Sequence, residues 1–242
     1  MDMKVSGSGV ITSGEYDNIR IAGSGDLNGL IRCKSFHCAG SANADGDIEC
    51  ENELKIAGSG SFDKNVKAGE LKIAGSMACN GDISVNGKLN CAGTLSCDGS
   101  VKAGYFNLPG TADINGDTEA EIIKVDGKID CGGLMNAEEI EIRFVKGMTI
   151  SSIGGSKISI YEYGKPKNRR IWLPLFSSIV KHEKVFVKNS IEGDVIALEG
   201  VVTPRVSGRI VAIGENCNID LVQYSEQIEI SPNAKVGKTE KI

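Results

Sequence analysis

Eight cysteines and two histidines are the residues of this sequence best suited to chemistry, and their spacing limits what they can do. Cysteine-rich zinc sites use close ligand pairs such as Cys-x-x-Cys; the chain contains no such pair. His37 directly precedes Cys38. Neighbouring strand residues face opposite sides, so no Cys–His nucleophile pair is expected there. His182 is the other candidate base. Asp47, Asp82 and Asp117 recur at a fixed spacing on alternate repeats, which separates them by about 10 Å. Carboxylates that cleave glycosides lie roughly 5 to 9.5 Å apart. Each of the three also follows a glycine, so a role in turns is the expected one. Lys4, Arg20, Lys55, Lys72 and Lys124, with His37 among them, form a further series that stacking would bring into one basic stripe. Such a stripe either keeps strands from associating sideways or docks an acidic partner.

The elements that must position these residues come from a repeat. Ile21-Ala22-Gly23-Ser24, Ile56-Ala57-Gly58-Ser59 and Ile73-Ala74-Gly75-Ser76 are variants of one string, as are Cys38-Ala39-Gly40-Ser41 and Cys91-Ala92-Gly93-Thr94. Apolar anchors open successive units at Met3, Ile19, Phe36, Leu54, Leu71, Leu89, Phe106, Ile123, Ile140 and Ile158. Counting each anchor as position 0, apolar or small residues fall at positions 0 and 2, 6 and 8, 12 and 14. Pairs two apart follow the strand period, so each unit predicts three short strands. Gly at position 4 and Asn-Gly or Asp-Gly at positions 9 and 10 mark corners, where left-handed backbone is expected. Three-residue strands are too short for a stable meander. Stacking equivalent strands of successive units pairs them all, which predicts an all-β, triangular parallel β-helix with rungs of about 17 residues.

Seven of the eight cysteines then fall on inward positions, where a free thiol acts as a small hydrophobe. Cys33 with Cys50, and Cys79 with Cys97, occupy equal positions on adjacent rungs. That placement invites oxidation and argues for a reducing compartment. The 31 glycines among 242 residues are accounted for by corners rather than by a collagen or linker composition. Lys+Arg 27 against Asp+Glu 32 leaves a net charge of -5, so nucleic acid is not an expected partner. No stretch reaches the ~18 apolar residues of a membrane span, and residues 1–14 lack an apolar signal core. The expected location is the cytoplasm.

Residues 1–160 are expected to form about ten rungs, 161–184 an interruption or capping loop, 185–237 about three further rungs and 238–242 a tail. The second rung block either continues the first stack or forms a separate lobe. The interruption joins Lys165, Lys167, Arg169 and Arg170 to Trp172 and Phe176. Such a basic-aromatic segment suits an anionic membrane periphery, a protein client, or the covering of a solenoid end.

Rungs rich in Ala-Gly-Ser, followed by Ile191-Glu192-Gly193-Asp194-Val195 and by residues 211–224, resemble those of the bactofilins, polymer-forming bacterial cytoskeletal proteins. The resemblance covers nearly the whole chain and implies a right-handed β-helix that assembles end to end, without nucleotide, into scaffold filaments. The sequence agrees in lacking a Gly-x-x-x-x-Gly-Lys-Ser/Thr phosphate loop. The expected activity is therefore self-assembly rather than catalysis, with no cofactor, metal or small-molecule substrate. Met3, Val5 and Ile11 at one end, and Ile228, Ile230 and Val236 at the other, are the candidate interfaces. The rival readings are a non-polymerising binding scaffold and a β-helix enzyme, either an acyltransferase or a polysaccharide-acting one.

Overall fold

The computed structural model describes residues 1–144, 147–162 and 183–242. These residues form strands and turns with no helix. They wind as a parallel β-solenoid of about 13 coils at a spacing of about 17 residues. On the first face Met3, Lys4 and Val5 pair with Ile19, Arg20 and Ile21, which pair in turn with Phe36, His37 and Cys38. The second face stacks Ser76–Cys79 on one side of Thr94–Cys97 and Thr111–Ile114 on the other. The third aligns Ile83 and Val85 with Val101 and Ala103, then with Thr118 and Ala120. Alternate residues of every face point inward, and the resulting core runs unbroken from Val5 to Val222.

The corner glycines are needed for space rather than for handedness. Left-handed backbone among the described residues is confined to Gly29 (φ 75), Gly200 (φ 64) and Asn216 (φ 61), so the expectation of left-handed geometry at each corner is corrected. A Cβ on Gly75 would lie 1.9 Å from the carbonyl oxygen of Gly58. One on Gly93 would lie equally close to that of Gly75. Each glycine of this column thus leaves room for the backbone of the coil stacked against it.

Strand boundaries also differ from three equal strands per coil. Ser59–Phe62 and Ser76–Cys79 are short, whereas Ile83–Cys91 runs from the third face to the first without a break. Several chain-length differences between coils are absorbed at this third corner, where Ala103 and Phe106 are separated by two residues but Val85 and Leu89 by three; others fall at the second corner, at Thr12/Gly14 and Cys131/Leu134. The register shifts of the third corner, at Cys33/Phe36, Cys50/Glu53, Ala68/Leu71 and Ala103/Tyr105, behave as bulges.

The two rung blocks belong to one stack. Ile158, Ser159 and Ile160 pair with Ile196, Ala197 and Leu198, while Met148, Thr149 and Ile150 pair with Val185, Phe186 and Val187. Residues 163–184 therefore fall at the first corner of a single coil, where the following coil carries the short link Glu199-Gly200 between Leu198 and Val201. The expected tail at 238–242 is corrected as well. Lys238, Thr239, Glu240 and Lys241 pair with Leu221, Val222, Gln223 and Tyr224, and so complete the last coil, because its third face still has a strand edge to bond.

Candidate functional site

All eight cysteines are buried and free. Burial pushes the Cys91 thiol up to about 12, and raises Cys38, Cys131 and Cys217 as well. Cys217, which the repeat pattern left unplaced, is buried directly after the left-handed Asn216. Cys33 is in register with Cys50, and Cys79 with Cys97. His37 lies exposed on the outer surface while Cys38 faces the core, so the two do not form a catalytic pair. His182 lies outside the described residues. No group of three or more His, Cys, Asp or Glu among the described residues is arranged to hold a metal ion.

Asp47, Asp82 and Asp117 act between coils. The Asn65 N–H donates to Asp47 Oδ1 at 3.0 Å, and the Ser100 N–H to Asp82 Oδ1 at 2.8 Å. The Leu134 N–H donates to Asp117 Oδ1 at 2.7 Å. The coils between them use other acceptors for the same purpose. Asn65 Oδ1 takes the Asp82 N–H and Ser100 Oγ takes the Asp117 N–H, so one ladder links six successive coils. A column of bare carboxylates would repel itself; interleaving Asn and Ser keeps an acceptor at each step and lowers the charge density. Sequence reasoning missed this ladder, although Asp, Asn and Ser recur at one repeat position.

The basic series is in register. Lys4 pairs with Arg20, Arg20 with His37, His37 with Lys55, and Lys55 with Lys72. Asn90 and Asn107 then separate Lys72 from Lys124. Lys72 is bridged by Glu53 and by Glu70, the latter at 3.3 Å, which raises its ammonium pKa and lowers that of the Glu53 carboxyl. Lys4, Arg20, Lys55 and Lys124 make no ion pair among the described residues. The cationic character of this face is therefore concentrated in the first four coils.

The third face carries a groove that the repeat pattern did not suggest. Inward positions there hold Cys33, Cys50 and Ala68, and farther along Gly155, Gly193 and Gly208. Such small side chains let the backbone draw toward the axis. A cavity of about 750 Å³ lies over the first of these coils, lined by Glu15, Arg32, Glu49, Lys67, Cys33 and Cys50 among others. Its outer residues alternate in charge in register, Glu15, Arg32, Glu49, Lys67, with Arg32 and Glu49 paired at 2.8 Å. A slip by one coil would set like charges side by side, so the pattern favours one register.

The two ends differ. Val5 and Ile11 are buried, Met3 is half-buried, and Tyr16 donates its hydroxyl to the Thr12 carbonyl at 2.7 Å beside them. Val5 and Ile11 therefore form the core of the first coil. At the other end Ile228 and Val236 are half-buried, while Ile230 is 42% and Ile242 67% exposed. Thr239 and Lys241 make the third-face edge of that coil polar, whereas its first-face edge stays apolar. Lys165, Lys167, Arg169, Arg170, Trp172 and Phe176 lie outside the described residues. No helix among the described residues is long and apolar enough to cross a membrane.

No family model and no solved structure matches the chain. The uncharacterized protein YhbF of Bacillus subtilis (strain 168) is 26% identical over 111 residues, 46% of this chain and 42% of that protein. The uncharacterized protein YhbE of the same organism is 47% identical over 239 residues, 98% of this chain and 97% of YhbE. With identity at that level across nearly the full length of both proteins, the chain belongs to the family of Bacillus subtilis YhbE.

Proposed function

We propose that this protein is a structural, non-enzymatic, cytoplasmic subunit that assembles end to end through its terminal coils, without nucleotide, as its resemblance to bactofilins implies. The observation that carries the reading is the last coil. Among the described residues, Ile228 and Ile230 stand at core positions with a coil on one side only, next to an unpaired strand edge. Burying such an edge against a second copy satisfies backbone donors and acceptors and removes apolar surface from water together. Sedimentation velocity over a range of protein concentrations and salt tests it. Wild type should form species that grow with concentration, and Ile228→Arg with Ile230→Arg should remain monomeric with an unchanged circular dichroism spectrum. A wild-type protein that stays monomeric throughout, or a variant that assembles normally, overturns the reading.

A second reading is favoured by the cations Lys4, Arg20 and Lys55, in one register with His37, which offer an acidic protein client or an anionic membrane surface a linear array. Reversing Lys4, Arg20 and Lys55 to Glu separates the two: it should abolish client or vesicle binding and leave end-to-end assembly intact.

A further inference from the structure

We propose that Cys33 and Cys50 are a redox modification site, a dithiol that small disulfides convert to an intramolecular disulfide between two adjacent coils. Three features single this pair out. The residues are in register on neighbouring parallel strands, which places their Cα atoms about 4.8 Å apart. That separation lies within the range that disulfides span. In addition, both residues stand immediately before the irregular third corner, where register shifts at Cys33/Phe36 and Cys50/Glu53 give the backbone slack to draw the two Cβ atoms together.

The third feature is access. Cys33 and Cys50, 5% and 4% exposed, line the floor of the charged groove. Cys79 and Cys97 share the same in-register geometry but are 1% and 0% exposed and line no cavity among those found on the described residues. The second pair is thus an internal control, with the same spacing and no route for a reagent. The groove wall carries both signs, Arg32, Lys34 and Lys67 beside Glu15, Glu49 and Glu51, which suits a zwitterionic disulfide.

Cys50 is the attacking group. The adjacent Cys33 thiol holds the ionisation of Cys50 below that of an ordinary thiol, and Cys50 Sγ stands 3.6 Å from the Lys34 carbonyl oxygen. The Cys50 thiolate attacks one sulfur of a low-molecular-weight disulfide, forming a mixed disulfide and releasing one thiolate, which takes up a proton. Cys33 then loses its proton to solvent and attacks Cys50 Sγ, expelling the second external sulfur, which leaves as a thiol. Two protein thiols are oxidised and one external disulfide is reduced to two thiols.

Oxidised glutathione is the probe. Folded protein is exposed to it, remaining thiols are blocked with a maleimide in denaturant, and peptides are mapped without reduction. The expected product joins Cys33 to Cys50, while Cys79 and Cys97 are recovered as blocked thiols. Cys33→Ala should stop at a stable mixed disulfide on Cys50. Alanine fits, because Ala68 occupies the equivalent place on the next coil. Failure to form the 33–50 link, or equal yield of a 79–97 link, overturns the proposal. Should Cys33→Ala unfold, the wild-type peptide map decides alone.

Discussion

The first-corner glycines act by what they lack. Gly75→Ala drives a methyl group into the Gly58 carbonyl oxygen, and should destabilise the protein by about 1–3 kcal/mol or more. Gly7→Ala, with nothing within 4 Å of the added carbon, should lie within about 1 kcal/mol of wild type, on the stabilising side. Urea denaturation of the two variants checks both. The sequence showed glycine at this corner in the coils from Gly7 to Gly127, but not the reason, because the atom it avoids lies one coil away. Asp17 supplies a charge effect at the same scale. Hydrogen bonds from Lys34 and the N-terminal ammonium hold its carboxyl at about 2, below the ordinary 3.8. A depressed carboxyl contributes stability above its unfolded pKa and loses it as pH falls through the folded one. The stability difference between wild type and Asp17→Asn should therefore persist above pH 3.8 and vanish by about pH 2. A thermal-shift series against pH follows it.

Ladders and corners set how one coil holds the next. Asp82→Ala leaves the Ser100 N–H without its acceptor and should cost about 0.5–1.5 kcal/mol. Asp82→Asn should behave as wild type, since Asn65 already serves as acceptor one step along the same ladder. If both variants are equally weakened in chemical denaturation, the carboxylate charge rather than the hydrogen bond is what matters. The strands themselves were legible, because apolar pairs two apart, such as Leu71 and Ile73, repeat with few interruptions. The third corner was not. Its residues, for example Asn86-Gly87-Lys88 and Gly104-Tyr105, vary in number and type, and nothing in their order shows that the strand passes through unbroken. The groove above it escaped notice for a related reason: small inward residues read as ordinary core until the backbone that follows them is traced.

At the scale of the molecule, continuity across the insertion could not be read from the chain, since 161–184 erase the count that located every earlier coil. The pairing of Ile158 with Ile196 restores it. Replacing residues 161–184 by Glu-Gly, the link that Glu199-Gly200 makes at the same corner of the following coil, should leave a single cooperative unfolding transition and an unchanged strand signal in circular dichroism. Two transitions, or loss of the signal, would mean that the insertion itself joins the two halves. The parallel pairing also has a mechanical consequence. Hydrogen bonds between coils, such as those that carry Ala74 N to Ile56 O at 2.8 Å, run along the rod rather than across it. Tension applied between the ends loads these bonds one coil after another, so the rod should yield by peeling rather than by shearing as a block. Each coil of about 17 residues releases roughly 50–60 Å of chain. Force spectroscopy should record a sawtooth of that period, and a Cys33–Cys50 cross-link, which closes one coil's length of chain, should remove one tooth.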